Sequence, residues 1–134
     1  MSDRGVCILV VDDEPDMADL FRQRFRRELR EGTYMLQFAA SAEAALHHLR
    51  SGARRDPMLV LSDVNMPGLD GLALLQTIND EWPGLPVMMV TAYGDDERRR
   101  KAVALGAVDF LSKPVDFDHL KQRLRNIAPH GTSA

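Results

Sequence analysis

In Val6-Cys7-Ile8-Leu9-Val10-Val11-Asp12-Asp13-Glu14-Pro15, an unbroken apolar run passes directly into three acids and a proline. A run this short, with no polar alternation, fits a strand buried on both faces. Working outward, comparable runs stand at Met58 to Leu61, Val87 to Val90 and Val108 to Leu111, with a weaker one at Met35 to Ala40. Their length and flanking turn residues favour strands over buried helices. Between the first two, Met17, Phe21, Phe25 and Leu29 fall at i, i+4, while Arg22, Arg26, Arg27 and Arg30 lie largely elsewhere, which predicts an amphipathic helix. Further helices are predicted over Ala42 to Leu49, Gly71 to Trp82, Asp96 to Leu105 and Phe117 to Ile127, with Asp70, Asp95 and Asp116 as caps. The order is βαβαβαβαβα. Buried strands alternating with helices call for a parallel sheet covered on both faces, because right-handed crossovers lay each helix over one side. The fold class is therefore α/β, a doubly wound five-stranded parallel sheet.

The bulk properties bound the function. A length of 134 residues with 45% hydrophobic content suits one domain, placed at residues 5–128, with 129–134 as a C-terminal tail or truncated linker. Net charge is −3 and the isoelectric point near 5.8, so no overall field draws the chain to nucleic acid or an anionic membrane, and neither partner is expected. Cys7, the single cysteine, lies inside the first apolar run and reads as a small buried side chain. No apolar stretch approaches the roughly 20 residues that span a bilayer, and the N-terminus has no signal-peptide layout. A cytoplasmic protein is expected.

In doubly wound sheets, functional groups gather at the C-terminal ends of the strands. Here the first strand ends in Asp12-Asp13-Glu14, the third in Ser62-Asp63, the fourth in Thr91-Ala92 and the fifth in Ser112-Lys113-Pro114. Each has a plain reading. The acids before Pro15 suit a helix N-terminus, Asp63 to Gly68 suits a turn, Thr91 suits a strand and Lys113 a solvated surface. All four, however, fall on one rim of one sheet, which those readings do not require. Acids packed together raise one another's pKa unless a cation holds them, and oxygen ligands on a rim point to Mg²⁺. A carboxylate, a hydroxyl, an ammonium and a hard cation make a phosphoryl-transfer site.

With these residues in place, the chain resembles the receiver domains of two-component response regulators from Val6 to about Ile127. The resemblance rests on Leu9-Val10-Val11-Asp12-Asp13-Glu14, on Ser62-Asp63-Val64-Asn65-Met66-Pro67-Gly68-Leu69-Asp70-Gly71, on Val90-Thr91-Ala92, and on Gly106-Ala107 followed by Phe110-Leu111-Ser112-Lys113-Pro114. It implies a flavodoxin-like strand order of 2-1-3-4-5. It also implies that Asp63 is the phosphoacceptor and that Mg²⁺ or Mn²⁺ is bound by Asp13, Asp63 and the backbone carbonyl of Asn65, with Asp12 holding a metal-bound water. Lys113 would pair with the Asp63 carboxylate or the phosphoryl oxygens. Thr91 would move inward on phosphorylation, and Phe110 takes the aromatic switch position. The Lys113-Pro114 bond is expected to be cis. Asn65 and Tyr93 are expected to tune phosphoryl lifetime: the neutral Asn65 can orient a water, and the Tyr93 ring excludes it unless turned outward as part of a docking face. Departures from the best-known members lie at variable positions such as Tyr93. The implied partners are a sensor histidine kinase or histidine phosphotransfer protein and an output partner or fused output domain, with a phosphorylation-dependent dimer as a further expectation. Such a chain is a switch that assists its own phosphorylation and dephosphorylation rather than an enzyme acting on a small substrate.

Two other functions compete. A metal-dependent phosphatase with an aspartyl nucleophile uses the same groups, but wants an acid two residues after the nucleophile, where this chain has Asn65, and a cap domain, which is not expected here. An interaction module independent of phosphorylation would have lost a site residue, and none is lost. His47, His48, His119 and His130 show no metal spacing and read as surface histidines. Arg98-Arg99-Arg100-Lys101 and the arginines of the first helix read as solvated helix faces, with a docking face as the alternative. Trp82 before Pro83-Gly84 reads as the end of a helix.

Overall fold

The apolar runs become strands that pair only in parallel. The computed structural model describes residues 5–51, 58–66, 68, 70–92 and 94–127. In chain order the elements are β1 (Val6–Val11), α1 (Pro15–Arg24), α2 (Arg26–Glu31), β2 (Tyr34–Ala39), α3 (Ala42–Arg50), β3 (Met58–Asp63), α4 (Gly71–Glu81), β4 (Val87–Thr91), α5 (Asp96–Ala104), β5 (Asp109–Ser112) and α6 (Phe117–Ile127). The sheet order is β2-β1-β3-β4-β5, as the resemblance implied. Because the chain winds outward from β1 in one direction and then returns to the other side of it, the order reverses at β1 and β3, and a crevice opens beyond their C-terminal ends.

Alternate residues of the strands feed two cores. Cys7, Leu9 and Val11 of β1 join Val60 of β3 and Met89 of β4 beneath α3, α4 and α5. Ile8 and Val10 join Leu59, Leu61 and Met88 on the other face, beneath α1 and α6. There Phe21, Phe25 and Phe117 pack ring against ring, with Phe21 to Phe117 edge-on at 5.0 Å. Such burial stabilises by roughly 1.5–3 kcal/mol per large apolar side chain.

The caps follow the sequence. Asp70 Oδ1 accepts the Ala73 N–H at 2.9 Å, Asp95 Oδ1 accepts the Arg98 N–H at 3.2 Å, and Asp116 Oδ1 accepts the Asp118 N–H at 3.0 Å. Two local expectations need correction. The first helix is not continuous: Phe25 departs to φ −102°, ψ 16°, dividing α1 from α2, although its N–H still donates to the Phe21 carbonyl. The unwinding coincides with the fully buried ring at Phe25, which stays in the aromatic cluster while the polypeptide turns around it. The last strand begins at Asp109 rather than Val108, which is 47% exposed. The tail assigned to 129–134 lies outside the described residues, as does Tyr93.

Candidate functional site

Four strands deliver the site. Asp63 ends β3 with its carboxylate almost fully buried, at 3% exposure. Its Oδ2 accepts from the Lys113 ammonium at 2.6 Å, and its Oδ1 accepts from the Asn65 backbone N–H at 3.0 Å. Both oxygens are thus held, and the carboxylate cannot rotate freely. Gly71 makes this packing feasible: a Cβ there would collide with the carbonyl oxygen of Asp63 and with the Val64 Cα, so only glycine lets α4 start so close behind β3. Lys113 is aimed from the end of β5, where its backbone N–H donates to the Thr91 carbonyl at 2.9 Å. The Lys113-Pro114 peptide bond is cis.

Asp12 follows β1, where its N–H donates to the Ala39 carbonyl at 3.1 Å and its Oδ1 accepts the Glu14 N–H at 2.8 Å. Carboxylate oxygens of Asp12, Asp13 and Asp63 lie within 4.8 Å of one another, with Asp12 half-buried and Asp13 exposed. Burial pushes the Asp12 carboxyl above the ordinary aspartate range, the Glu14 N–H pulls it down, and the Asp63 charge adds to the rise. Burial likewise opposes the charge on Lys113, but the hydrogen bond and charge of Asp63, helped by Asp12 and Glu14, outweigh it and raise the ammonium above the ordinary lysine value. Three carboxylates face one ammonium, which leaves negative charge in excess. An all-oxygen set of this kind, partly open to solvent, fits a hard divalent cation that keeps some of its water.

Thr91 ends β4, the strand beside β3. It is 1% exposed, and its hydroxyl donates to the Leu111 carbonyl at 3.4 Å. Met89 pairs with Phe110 and Thr91 with Ser112, so Thr91 and Phe110 project on the same face of the sheet, one pleat apart. Phe110 is half-buried against the core beneath α5. Asn65 is exposed at the rim. The structure thus brings Asp12, Asp13, Asp63 and Lys113 together, with the Asn65 backbone bonded to Asp63, while Thr91 and Phe110 share one face of the neighbouring strands β4 and β5.

Sequence reasoning missed several polar contacts, among them those of Arg22 and Arg24 of α1, read as solvated, with the rings of Phe38 and Phe117 at 4.8 and 5.6 Å. The Arg99 guanidinium lies 4.0 Å from the centre of the Phe110 ring, although the arginine belongs to a run that reads as solvated surface. His48, also read as surface, is half-buried, with Nε2 2.8 Å from Gln37 Oε1. No sequence signal pairs any of these couples, because each joins two separate elements through long side chains.

Comparison with known proteins agrees with this geometry. Residues 8–125 match the response regulator receiver domain family. The chain is 36% identical over 130 residues to the transcriptional regulatory protein ZraR of Escherichia coli O157:H7, covering 97% of this chain but 28% of that protein. It therefore spans less than a third of the length of that relative. The receiver domain of NtrX from Brucella abortus is similar at 37% identity and a TM-score of 0.75, covering 89% of this chain and 95% of that one. The response regulator TrrA of Thermotoga maritima, solved in complex with Mg²⁺-BeF, is similar at 32% identity and a TM-score of 0.72, covering 90% of this chain and 96% of that one. No helix among the described residues is long and apolar enough to cross a membrane. In its strand order, its acidic rim and its matched residues, the chain belongs to the response regulator receiver domains of two-component signalling.

Proposed function

We propose that Asp63 is the phosphoacceptor of this receiver domain and that the modified rim acts as a conformational switch. The observation that carries the reading is the buried Asp63 carboxylate held 2.6 Å from the Lys113 ammonium inside a three-carboxylate cluster. A carboxylate oxygen of Asp63 attacks the phosphorus of a phosphohistidine or a small acyl phosphate. The new P–O bond forms as the donor's P–N or P–O bond breaks, and the leaving group takes the electron pair. Asp12, Asp13, Asp63 and the backbone carbonyl of Asn65 would hold Mg²⁺ or Mn²⁺, and the Mg²⁺-BeF complex of the Thermotoga maritima relative supports the choice of metal. Bound there, the cation neutralises the charge that gathers on the phosphoryl oxygens. Lys113, already aimed at Asp63, moves with its charge onto a phosphoryl oxygen.

The transferred group adds roughly −1.5 to −2 charge and strong acceptor oxygens, so it favours conformers that bring a hydroxyl donor closer. Thr91 gives up its 3.4 Å bond to the Leu111 carbonyl for a phosphoryl oxygen, and Phe110, on the same face, moves into the space it leaves. Asn65 and Tyr93 set how soon water removes the group, the ring by excluding it. The donor partner is a sensor histidine kinase or histidine phosphotransfer protein, met in the cytoplasm. The signal passes to an output partner or fused output domain.

Incubation with a small acyl phosphate and Mg²⁺ tests this. About one stable phosphoryl group per chain is expected, abolished by chelation and absent from Asp63→Asn. Labelling of Asp63→Asn at the unmodified rate would overturn the assignment, and continuous release of phosphate from unrelated monoesters would favour an aspartyl phosphatase.

A further inference from the structure

The charged run at the start of α5 is not uniform. Arg98 pairs with the capping Asp95 at 3.6 Å and Lys101 with Glu97, one turn before it, at 3.8 Å. Arg99, between them, has no carboxylate partner among the described residues; its guanidinium instead lies 4.0 Å over the Phe110 ring. That ring is a half-buried member of β5, on the sheet face it shares with Thr91. The helix carrying Arg99 is loosely seated, since Ala102 is its single buried residue. A cation over an aromatic face at this distance is a directed contact, and at a partly exposed site it changes an equilibrium by about two- to fivefold.

We propose that Arg99 is a positioning residue for the switch: stacked on Phe110, it holds the ring in its resting place, couples α5 to β5, and so limits how readily Asp63 accepts a phosphoryl group. The inference rests on the phosphoacceptor reading above and deepens it. In this proposal, movement of Phe110 toward Thr91 slides the ring from beneath the guanidinium, so the contact favours the resting conformer. Whatever weakens it raises the population in which the ring has moved, and a reaction that proceeds through that population quickens in proportion. An ammonium at this position is more strongly hydrated than the guanidinium and holds the ring less well.

Ring and methyl NMR of Phe110 and Thr91 in the full chain, in Mg²⁺ buffer without phosphodonor, tests this beside initial labelling rates. Arg99→Met keeps the aliphatic stem and Arg99→Lys keeps the charge, while Arg100→Met changes an exposed neighbour with no such contact. In both Arg99 variants the Phe110 and Thr91 signals should move together toward their positions in the phosphorylated wild type, and labelling should quicken by about two- to fivefold. Arg100→Met should do neither. A Thr91 signal unmoved in both Arg99 variants, a labelling rate unchanged or lower, or an equal effect in Arg100→Met would each overturn the proposal. If the wild type takes no label at Asp63, the phosphoacceptor reading fails instead, and the unphosphorylated spectra still decide whether Arg99 positions the ring and Thr91.

Discussion

α4 and α5 cover the same face of the sheet and start beside the same rim, yet they are built from opposite material. α4 buries Gly71, Leu74, Leu75 and Ile78, whereas α5 opens with Asp96-Glu97-Arg98-Arg99-Arg100-Lys101 and buries Ala102 alone. The first is fixed by core packing and the second mainly by its cap, a thin apolar contact and the stack on Phe110. Elements that bury little open and shift at low free-energy cost. The arrangement thus separates two tasks. The reacting carboxylate of Asp63 sits on the rigid β3–α4 unit, and the residues that would report its modification, Thr91 and Phe110, lie under the loosely held helix.

Truncation on the two helices sharpens the contrast most. Leu75→Ala should cost about 2–5 kcal/mol in chemical denaturation, because it empties a closed core, whereas Val103→Ala, at a side chain 54% exposed, should stay within about 0.5 kcal/mol. Similar losses at the two positions would break the comparison. Gly71→Ala should cost about 3 kcal/mol and slow labelling, since the new methyl group must push α4 away from the Asp63 backbone. A variant as stable and as readily labelled as the wild type would show that the close approach does not matter.

Caps give a smaller effect with the opposite emphasis. Asp70→Ala and Asp95→Ala should each cost about 1 kcal/mol globally, but hydrogen exchange in α5 should rise steeply with Asp95→Ala while α4 stays protected in Asp70→Ala. Equal local exchange in the two helices would contradict the difference in seating. The smallest effect is a pH dependence. Lys113 has a folded pKa raised above its unfolded value, so its stabilisation is fully present below the ordinary lysine value and is lost as pH rises through the raised one. In cation-free buffer the wild type should therefore lose its advantage over Lys113→Met across that alkaline window. An advantage constant through it would mean that the ion pair with Asp63 contributes nothing.

Fold and site are unevenly legible in the sequence. The bounds of β1 follow from the apolar run Val6 to Val11 itself, and Asp12, Asp63, Thr91 and Lys113 follow from where such runs stop, because the chain must turn there and the turns share one rim. The break at Phe25 was not visible, since no glycine or proline marks it and Phe21, Phe25 and Leu29 keep their helical spacing across it. Nor was the stack of Arg99 on Phe110, or the His48 to Gln37 contact. Long polar side chains choose partners after the layers have docked, and a charge run looks the same whether one of its members is solvated or lies on a ring.

The central claim is that Asp63 is the residue modified. Phosphorylate the chain with a small acyl phosphate in Mg²⁺, convert the acyl phosphate with a reducing agent to a stable derivative, and locate that derivative by peptide mass spectrometry. The account predicts the derivative at Asp63 alone, with none at Asp12 or Asp13 and none after chelation. A derivative found at Asp12 or at Asp13, with Asp63 intact, would contradict it.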